Sequence, residues 1–510
     1  MDPSIPNANT SRNLDADGKP LYPSIYEFKE FIMINKTGNE KDITHLVTSF
    51  VIAEEIYSPV LTGKIRIRDN DNFFEDFGLD GQEIVKVKIE YLDSIEENNS
   101  KSLTYQFLVK DYPLFEKTTE SINVQEYDIN LISPWAYLSR LQQMSRSVEG
   151  NPVYAIKEIF NTYLAYSKFD YSEGDRNSIV GSEPRNPCET DNLKAVITQR
   201  TPLQAVEYLK SLCYDKDRSP FFIYTTLENQ AIIARSWVDI ISESSNPLYK
   251  PAEFEDSYAI RPFSAEKAGT PESLKELRSK IISLSSNIKL DKLSQAVNGG
   301  YGSVIEVIDL KERSYTEDRT LPETKSIYEP RLDPRALQSG RANRRGDFSQ
   351  GDFNFSYLEN LDFINGTPKI LDNITDDPRV SQSVYYLPIQ PYPQEFVSPA
   401  DIKLDALPYV KKYFANMEAA VHEIGVYGDP KLSAATKIKI KIPKAVDTNQ
   451  DEAGIDESLS GVYIIAVSIH TFENGVYTNR LKIIKERNIM PELPDDGSMT
   501  GFFSDTFASA

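Results

Sequence analysis

Cysteine and histidine are the side chains that most often bind metals or act as nucleophiles and bases, and this chain has few of them. Its 510 residues include two cysteines, Cys188 and Cys213, and three histidines, His45, His422 and His470. A zinc site requires closely spaced ligand pairs such as C-x-x-C, and the sequence contains no such pair. Two cysteines are also too few for a disulfide framework, so we expect the fold to be held together by packing.

The three histidines are far apart in the sequence, and each has a structural interpretation. His470 ends a predicted strand, His422 ends a predicted helix, and His45 lies at the start of a predicted strand. Because no recognisable nucleophile motif accompanies any of them, none is predicted to act as a catalytic base.

Sequence motifs for catalysis or cofactor binding are also missing. The chain has no phosphate-binding loop, nucleophile elbow or zinc-protease helix, and the Gly-Tyr-Gly segment at 300–302 lacks the third glycine of a dinucleotide-binding turn. The segment 447–451 supplies the first three ligand positions of a calcium loop, but Glu452 replaces the required glycine and Ser458 the final glutamate. We interpret it as an acidic, solvated loop, and we predict no catalytic residue, cofactor or metal site.

One basic cluster interrupts a strongly acidic chain, in which 77 Asp and Glu residues outnumber 56 Lys and Arg residues to give a formal net charge of −21. The cluster consists of Arg331, Arg335, Arg341, Arg344 and Arg345. A nucleic-acid patch would need interleaved aromatic side chains, and none occurs before Phe348. Two interpretations stay open: a solvated loop, and inter-subunit contacts in which these arginines pair with acidic surface on a neighbouring copy of the chain.

The composition of the whole chain excludes several classes of protein. The acid excess argues against binding to a phosphate backbone or docking on an anionic membrane. The longest strongly apolar run, 462–469, is far shorter than the about 20 residues of a membrane helix, and the N-terminus lacks the features of a secretory signal. With 40% hydrophobic residues the chain is globular, and we expect it to be soluble and made in a cytoplasm.

Alternation of apolar and charged residues predicts an all-β domain over 24–133. The segments 64–68, 83–91, 103–109 and 122–131 have the period of two that is typical of half-buried strands. We expect about six strands, arranged as a barrel or a sandwich.

Helical signals appear in the next part of the chain, 134–265. The pair Asn151-Pro152 is typical of a helix start, and Thr-Pro-Leu-Gln at 201–204 matches a capping box with proline at the first helical position. Two apolar runs within 221–234 predict a hairpin. These signals together predict a small α+β module.

A helical linker is predicted over 266–300. Apolar residues recur there at spacings of three and four, as expected for a helix that starts at Pro271. These residues are Leu274, Leu277, Ile281 and Leu284.

The last third of the chain returns to strand signals after one more helix. Apolar spacing around Phe414 predicts that helix, and alternation over 437–442 and 462–470 predicts two strands. Asn474-Gly475 is the strongest short hairpin signal in the sequence. The sequence therefore predicts a mostly β protein whose two β domains are separated by α+β material.

Several segments resemble the baseplate hub protein of contractile-tailed, T-even-like bacteriophages, which is related to the hubs of type VI secretion spikes. Residues 56–69, IYSPVLTGKIRIRD, and 80–85, DGQEIV, are similar to the first tube domain of those hubs. Residues 425–428 and 461–472, GVYIIAVSIHTF, are similar to the second tube domain, and 201–206 to the intervening α+β module. The resemblance spans roughly 25–245 and 300–488.

The resemblance implies two tail-tube-like β-barrel domains separated by a smaller α+β module and a helical linker. Under this interpretation the chain divides into an N-terminal arm (1–23), a first tube-like β-barrel domain (24–133), the α+β module (134–265), the helical linker (266–300), a second tube-like β-barrel domain (301–325 and 385–488), an irregular insertion (326–384) and an acidic C-terminal tail (489–510).

The resemblance also implies a function without catalysis. Such hubs are homotrimers that form a pseudo-sixfold ring, which joins the hexameric tail tube to the trimeric cell-puncturing spike and lets DNA pass without specific binding. The implied partners are the chain itself, the tail tube protein, the central spike protein, and the baseplate wedge and tape-measure proteins. The implied location is the virion, at the tail baseplate, after assembly in the host cytoplasm. An acidic lumen that repels DNA is a further hypothesis, motivated by the net charge.

Two alternative functions remain beside the structural hub. The first is the hub of a type VI secretion spike or of another phage-derived injection spike; such chains continue into an OB-fold and a needle, for which we expect no room after residue 488. The second is a tail-associated cell-wall hydrolase, which the missing nucleophile and metal motifs disfavour.

Overall fold

The computed structural model of the chain is mostly β, with an α+β module between two groups of strands, so the predicted class of fold is confirmed at this level. The structure describes residues 22, 24–93, 100–117, 124–171, 187–216, 218–227, 230–241, 258–259, 279–287, 303–309, 314–318, 381–387, 396–418, 421–442 and 459–484. Among these residues, no helix combines the length and the apolar character that crossing a membrane requires.

The first group of strands, called the N-terminal β unit, is an antiparallel sheet in the order β3-β4-β7-β6-β5-β1, with β2 on β1. Its elements are β1 (Ser24–Ile34), β2 (Glu40–Asp42), β3 (Val47–Glu55), β4 (Ser58–Asp69), α1 (Phe73–Phe77), β5 (Ile84–Asp93), β6 (Ser100–Lys117) and β7 (Gln125–Ile132). The predicted alternation is confirmed: Val85, Val87 and Ile89 are buried, whereas Lys86 and Lys88 are half-exposed.

The α+β module follows directly. Its elements are α2 (Pro134–Arg140), β8 (Met144–Gly150), α3 (Pro152–Tyr163), β9 (Phe169–Asp170), β10 (Leu193–Arg200), α4 (Pro202–Lys210), β11 (Phe221–Thr225), β12 (Ile232–Ser236) and α5 (Trp237–Ile241). Both predicted helix starts are confirmed, because the side chain of Asn151 accepts a hydrogen bond from the Val153 backbone and Thr201 forms a complete capping box with Gln204. The predicted hairpin is the pair β11–β12.

The remaining elements are β13 (Tyr258–Ala259), β14 (Ile281–Asn287), β15 (Ser303–Asp309), β16 (Ser314–Asp318), β17 (Ser381–Leu387), α6 (Pro399–Glu418), β18 (Val421–Tyr427), β19 (Lys437–Lys441), β20 (Gly461–Glu473) and β21 (Val476–Ile484). Strands β14, β18, β21, β20, β19 and β13 pair in that order and form the C-terminal β unit. Strands β16, β15 and β17 form a separate small sheet. The first four residues of β17 fall in the predicted irregular insertion, whose other residues, 326–380, lie outside the described part of the chain.

The helix predicted from Pro271 is wrong where the structure describes it, because Ile281–Asn287 is a strand paired antiparallel with β18. Spacings of three and four between apolar residues fit a helix, but Ile281 is buried while Ile282 is 51% exposed and Ser283 is exposed. Hydrogen bonds to the free edge of β18 decide the outcome here over the local pattern. Residues 271–278 lie outside the described part.

A single hairpin, β20 and β21, belongs to both β units and is called the shared hairpin. Strand β20 pairs with β19 near its start and with β3 over Val467–Glu473, while β21 pairs with β18 and, at Val476, with Ile25 of β1. Its predicted turn is confirmed, with Asn474 and Gly475 both at positive φ. The described strands of the two β units therefore form one continuous sheet, and a division into two barrels stays a prediction.

The helix predicted around Phe414 is confirmed as α6, which contacts two hydrophobic cores, one of the module and one that the module shares with β20 and β21. Ile402 near its start packs with the buried residues of α3 and α4. Tyr413 and Met417 near its end pack with Trp237 and Ile464. Its 20 residues span about 30 Å, so α6 fixes the distance between the two cores.

Candidate assembly face and junction

The structure leaves the predicted basic cluster untested. Arg331, Arg335, Arg341, Arg344 and Arg345 lie outside the described residues, as do the segments 300–302 and 447–451. In the part of the chain that is described, no group of three or more His, Cys, Asp or Glu side chains could hold a metal ion.

The three histidines occupy three different environments. His45 lies in an exposed turn before β3, with its Nε2 atom 3.1 Å from a carboxylate oxygen of Asp71. The prediction that His422 ends a helix is wrong. His422 is the second residue of β18, where it is buried against the hydroxyl of Tyr463. His470 lies within β20 rather than at its end, and it is completely buried.

The outward side of the continuous sheet forms a broad face that spans both β units; we call it the shared face. Its rows run across β18, β21, β20, β3, β4 and β7 without a break. One row contains Gly425, Arg480, Ile469, Ala53 and Thr62, each opposite the next in the hydrogen-bond register. The neighbouring row contains Tyr427, Thr478, Thr471, Val51 and Lys64.

The centre of the shared face is apolar and only partly covered. Val467, Ile469, Val51 and Ala53 are all half-exposed, whereas Ser468 and the other inward-facing residues of β20 are buried. Half-exposed apolar side chains on a regular sheet surface offer a contact area for another protein.

Charged side chains flank this centre, and their signs balance. The basic ones are Lys64, Arg66, Arg68, Arg480 and Lys482, and the acidic ones are Glu55, Glu126, Asp128, Glu423 and Glu473. Many are paired across strands, including Arg66 with Asp128 at 2.9 Å, Lys64 with Asp128 at 2.6 Å, and Arg480 with Glu423 at 2.6 Å. The acid excess of the chain is therefore located elsewhere than on this face.

Asp128 is the most buried charge of the shared face, and its replacement provides a pH-dependent prediction. Burial opposes its ionisation, but the hydrogen bonds and charges of Arg66 and Lys64 outweigh that effect and lower the pKa of Asp128. A lowered pKa stabilises the folded state above the unfolded pKa of about 3.9, and this stabilisation disappears as the pH falls through the folded pKa. Asp128→Asn should lower the free energy of unfolding by about 1 kcal/mol at pH 7, since both basic partners are half-exposed.

Urea denaturation of the Asp128→Asn variant at neutral and at acidic pH would check this, with the difference from wild type shrinking in acid. Glu126→Gln is the matched control, because Glu126 is more exposed and lies 3.8 Å from its partner Arg68. An equal loss at both pH values would show that Asp128 acts through its shape and not through its charge.

A cleft of about 530 Å³ opens at one end of the shared face, where α2 and α4 overhang the sheet. Its floor includes Glu55, Thr62 and Val467, and its wall includes Arg140 and Gln204. Burial raises the pKa of Glu55, although Lys210 and Lys482 act in the opposite direction.

Below the shared face, one buried carboxylate joins all three parts of the chain. Glu54 of β3 is 1% exposed, and its Oε2 atom accepts a hydrogen bond from the Leu227 backbone in the α+β module. Its Oε1 atom accepts one of 2.7 Å from the Ala434 backbone in the C-terminal β unit and lies 3.6 Å from Nε2 of His470. We call this group of contacts the junction.

The hydrogen bonds around His470 fix which ring nitrogen carries its proton. The Nδ1 atom lies 2.6 Å from the hydroxyl of Tyr477 and 3.1 Å from the amide nitrogen of Asn479, both of which can donate. The proton is therefore assigned to Nε2, which faces Glu54 and, at 3.2 Å, the hydroxyl of Ser468. These contacts connect β20, through His470, to Tyr477 of β21 and to Glu54 of β3 inside the core.

The alternation within β3 contains one sequence signal for the junction. Phe50, Ile52 and Glu54 share the inward side of β3, so a carboxylate occupies a core position. A buried charge needs hydrogen-bonding partners. The partners of Glu54 lie 173 and 380 positions later in the sequence, so the local pattern does not identify them.

No protein-family model and no curated protein sequence matches the chain. Among solved structures, it is similar to a tail protein from Neisseria meningitidis MC58, with a TM-score of 0.44, 10% identity, and coverage of 92% of this chain and 100% of the other. It is also similar to the 43 kDa tail protein of prophage MuSo2 from Shewanella oneidensis, with a TM-score of 0.44, 7% identity, and coverage of 90% and 99%.

A third similar structure is an E. coli component of the type VI secretion system that is itself described as structurally similar to T4 bacteriophage tail proteins. The TM-score is 0.34, the identity 10%, and the coverage 88% of this chain and 76% of the other. These neighbours belong to the classes of protein that the sequence resemblance names. At such identities and TM-scores, the function of this chain has to be argued from its own residues.

Proposed function

We propose that this chain is a structural baseplate hub of a contractile phage tail, a homotrimer that forms a pseudo-sixfold ring between the tail tube and the cell-puncturing spike. The observation that carries the proposal is the shared hairpin, which places two β units of one chain side by side in a continuous sheet. Three such chains supply six β units around a ring, so a threefold assembly can present six similar contacts.

Rigidity between the two β units is what a symmetry adaptor needs, and three contacts provide it. The shared hairpin joins the sheets, the junction at Glu54 joins both β units to the module, and α6 connects two cores. A ring that stacks under a hexamer must keep its six contact points at fixed spacing while the tail contracts. In this proposal the partners are the tail tube protein, the central spike protein and the wedge and tape-measure proteins, and the protein resides in the virion baseplate.

Light scattering tests the oligomer and the proposed role of the basic cluster together. The wild-type chain of 57.8 kDa should give a threefold mass. Reversing charge at Arg344 and Arg345 to glutamate should shift the mass toward the monomer, because the proposed partner surface is acidic. Lys86→Glu with Lys88→Glu is the control of equal charge change, since both lysines lie on a half-exposed strand surface. If the arginine variant keeps the wild-type mass, the cluster does not hold subunits together.

The proposal includes no catalysis. Purified protein should therefore leave the turbidity of a peptidoglycan suspension unchanged over hours, while a lysozyme control clears it. Clearing by the purified chain would favour the cell-wall hydrolase over the structural hub.

A further inference from the structure

Glu55 lies on the floor of the cleft at the end of the shared face, where its side chain is half-buried. Three other carboxylates of the shared face, those of Asp128, Glu423 and Glu126, each lie 2.6–3.8 Å from a basic partner. No such ion pair, and no hydrogen bond, reaches the Glu55 carboxylate from the residues that the structure describes. A carboxylate that loses water without gaining a partner is unfavourable, so the cleft lacks a group that Glu55 needs.

Two lysines act on Glu55 electrostatically without pairing with it. The first, Lys210, is paired with another acid, because its Nζ atom lies 2.7 Å from a carboxylate oxygen of Glu207. The second, Lys482, is exposed and lies two strands away, since Val467 stands between it and Glu55 in the sheet register. Burial therefore outweighs both lysines, and the pKa of Glu55 is raised above its ordinary value.

Apolar side chains surround Glu55 and connect the cleft to the rest of the shared face. Val60, Leu203 and Val467 line the cleft, and all three are half-exposed. Val467 also belongs to the apolar centre of the shared face, so the cleft and that centre form one surface. The cleft volume of about 530 Å³ lies within the range of roughly 300–1,000 Å³ that is usual for binding sites. A fitting occupant carries apolar groups on both sides of a hydrogen-bond donor.

Two basic side chains, Arg140 and Lys110, stand at the rim of the cleft and are exposed. Lys110 lies 3.5 Å from a carboxylate oxygen of Asp111. Water and salt screen exposed charges, so these two groups weaken the attraction of a cation to Glu55 only slightly. An exposed guanidinium can also donate hydrogen bonds to the carbonyl oxygens of a polypeptide, which favours a peptide over a simple ion as the occupant.

We propose that the cleft binds an extended segment of another protein, in which a lysine or arginine side chain reaches Glu55 and apolar side chains on either side of it contact Val467, Val60 and Leu203. Residues two positions apart in an extended chain share one side, so the basic residue and its apolar neighbours at those positions point into the cleft together. The charge-assisted contact replaces the water that Glu55 has lost. This inference does not depend on the proposed function, because it rests on the cleft and its carboxylate.

Two five-residue peptides test the proposal on the full-length protein by saturation-transfer NMR. The probes are acetyl-VSKSV-amide and, with the opposite charge, acetyl-VSESV-amide. The wild-type chain should bind the lysine peptide about tenfold more tightly than the glutamate peptide. Glu55→Gln should remove that preference, because it keeps the size of the side chain without its charge. Glu473→Gln is the matched control and should keep the preference, since Glu473 is exposed on the same face about 20 Å from Val467 along β20.

Reversing the charge gives a further expected result: Glu55→Lys should bind the glutamate peptide more tightly than the lysine peptide. Equal binding of the two peptides to the wild-type chain, or no binding of either up to about 10 mM, would overturn the proposal. A lysine preference that survives in Glu55→Gln would also overturn it, because it would reflect the general attraction of a cation to an acidic chain. If circular dichroism shows that Glu55→Lys is unfolded, the wild-type chain and Glu55→Gln decide the question without it.

Discussion

Glu54→Ala should lower the free energy of unfolding by about 3–5 kcal/mol, the range for removing one partner of a buried charged contact. The substitution leaves the backbone N–H groups of Leu227 and Ala434 without their acceptor in a site where Glu54 itself is 1% exposed. Because these groups belong to the α+β module and the C-terminal β unit, the loss should affect all three parts of the chain. Urea denaturation followed by tryptophan fluorescence measures this, since Trp135 and Trp237 lie in two different cores.

Two further variants separate charge from shape at the junction. Glu54→Gln keeps one acceptor oxygen but places an amide N–H against a backbone N–H. It should therefore lower the free energy of unfolding, but by less than Glu54→Ala does. Glu55→Gln changes the next residue of the same strand, which is half-exposed, and should alter stability by less than about 1 kcal/mol. If Glu54→Ala and Glu55→Gln have equal effects, the junction does not hold the three parts together.

Gly428→Ala should cost about 3 kcal/mol through overpacking, at the upper end of the usual range. A Cβ atom at this position would lie 2.2 Å from Cγ of Tyr477 and 2.3–2.5 Å from its neighbouring ring atoms. The ring cannot move aside easily, because Tyr477 is fully buried, stacks on Phe472 with centroids 4.4 Å apart, and hydrogen bonds to His470. Thermal unfolding should therefore show a clear fall in melting temperature.

Gly425→Ala is the matched control for Gly428→Ala, since both glycines lie at or next to β18. Its Cβ atom would approach the hydroxyl of Ser283 to 2.4 Å, but Ser283 is exposed and its side chain can rotate away. We expect little change in melting temperature. If Gly428→Ala changes the melting temperature as little as Gly425→Ala does, Tyr477 accommodates the methyl group and the shared hairpin is less rigid than proposed.

Local signals in the sequence predicted most individual elements, because those elements follow local rules. The capping residues Asn151 and Thr201 start their helices as predicted, and the turn Asn474-Gly475 forms the predicted hairpin. The strand at Ile281–Asn287 was predicted as a helix because apolar spacings of three and four fit both structures over a short segment. Its pairing with β18, more than a hundred residues later, is not a local property.

The shared face and the junction could not be predicted from the sequence, because both depend on pairing between strands that are far apart in the chain. The shared hairpin comes from the last strands that the structure describes, yet it pairs with β3 and β1 at the start of the chain. Alternation indicates which side of each strand is buried, but it does not indicate which strands become neighbours. The balanced charge of the shared face likewise depends on the cross-strand register, for example on Arg66 lying opposite Asp128. The net charge of −21 for the whole chain does not indicate that the charges on the shared face balance.

The proposed ring is tested most directly by electron cryomicroscopy of the purified protein viewed along its axis. The proposed hub should appear as a threefold-symmetric ring in which the N-terminal and C-terminal β units of three chains alternate around a central opening, giving six similar densities. A closed dimer, or a ring in which each chain contributes one β unit, would contradict it.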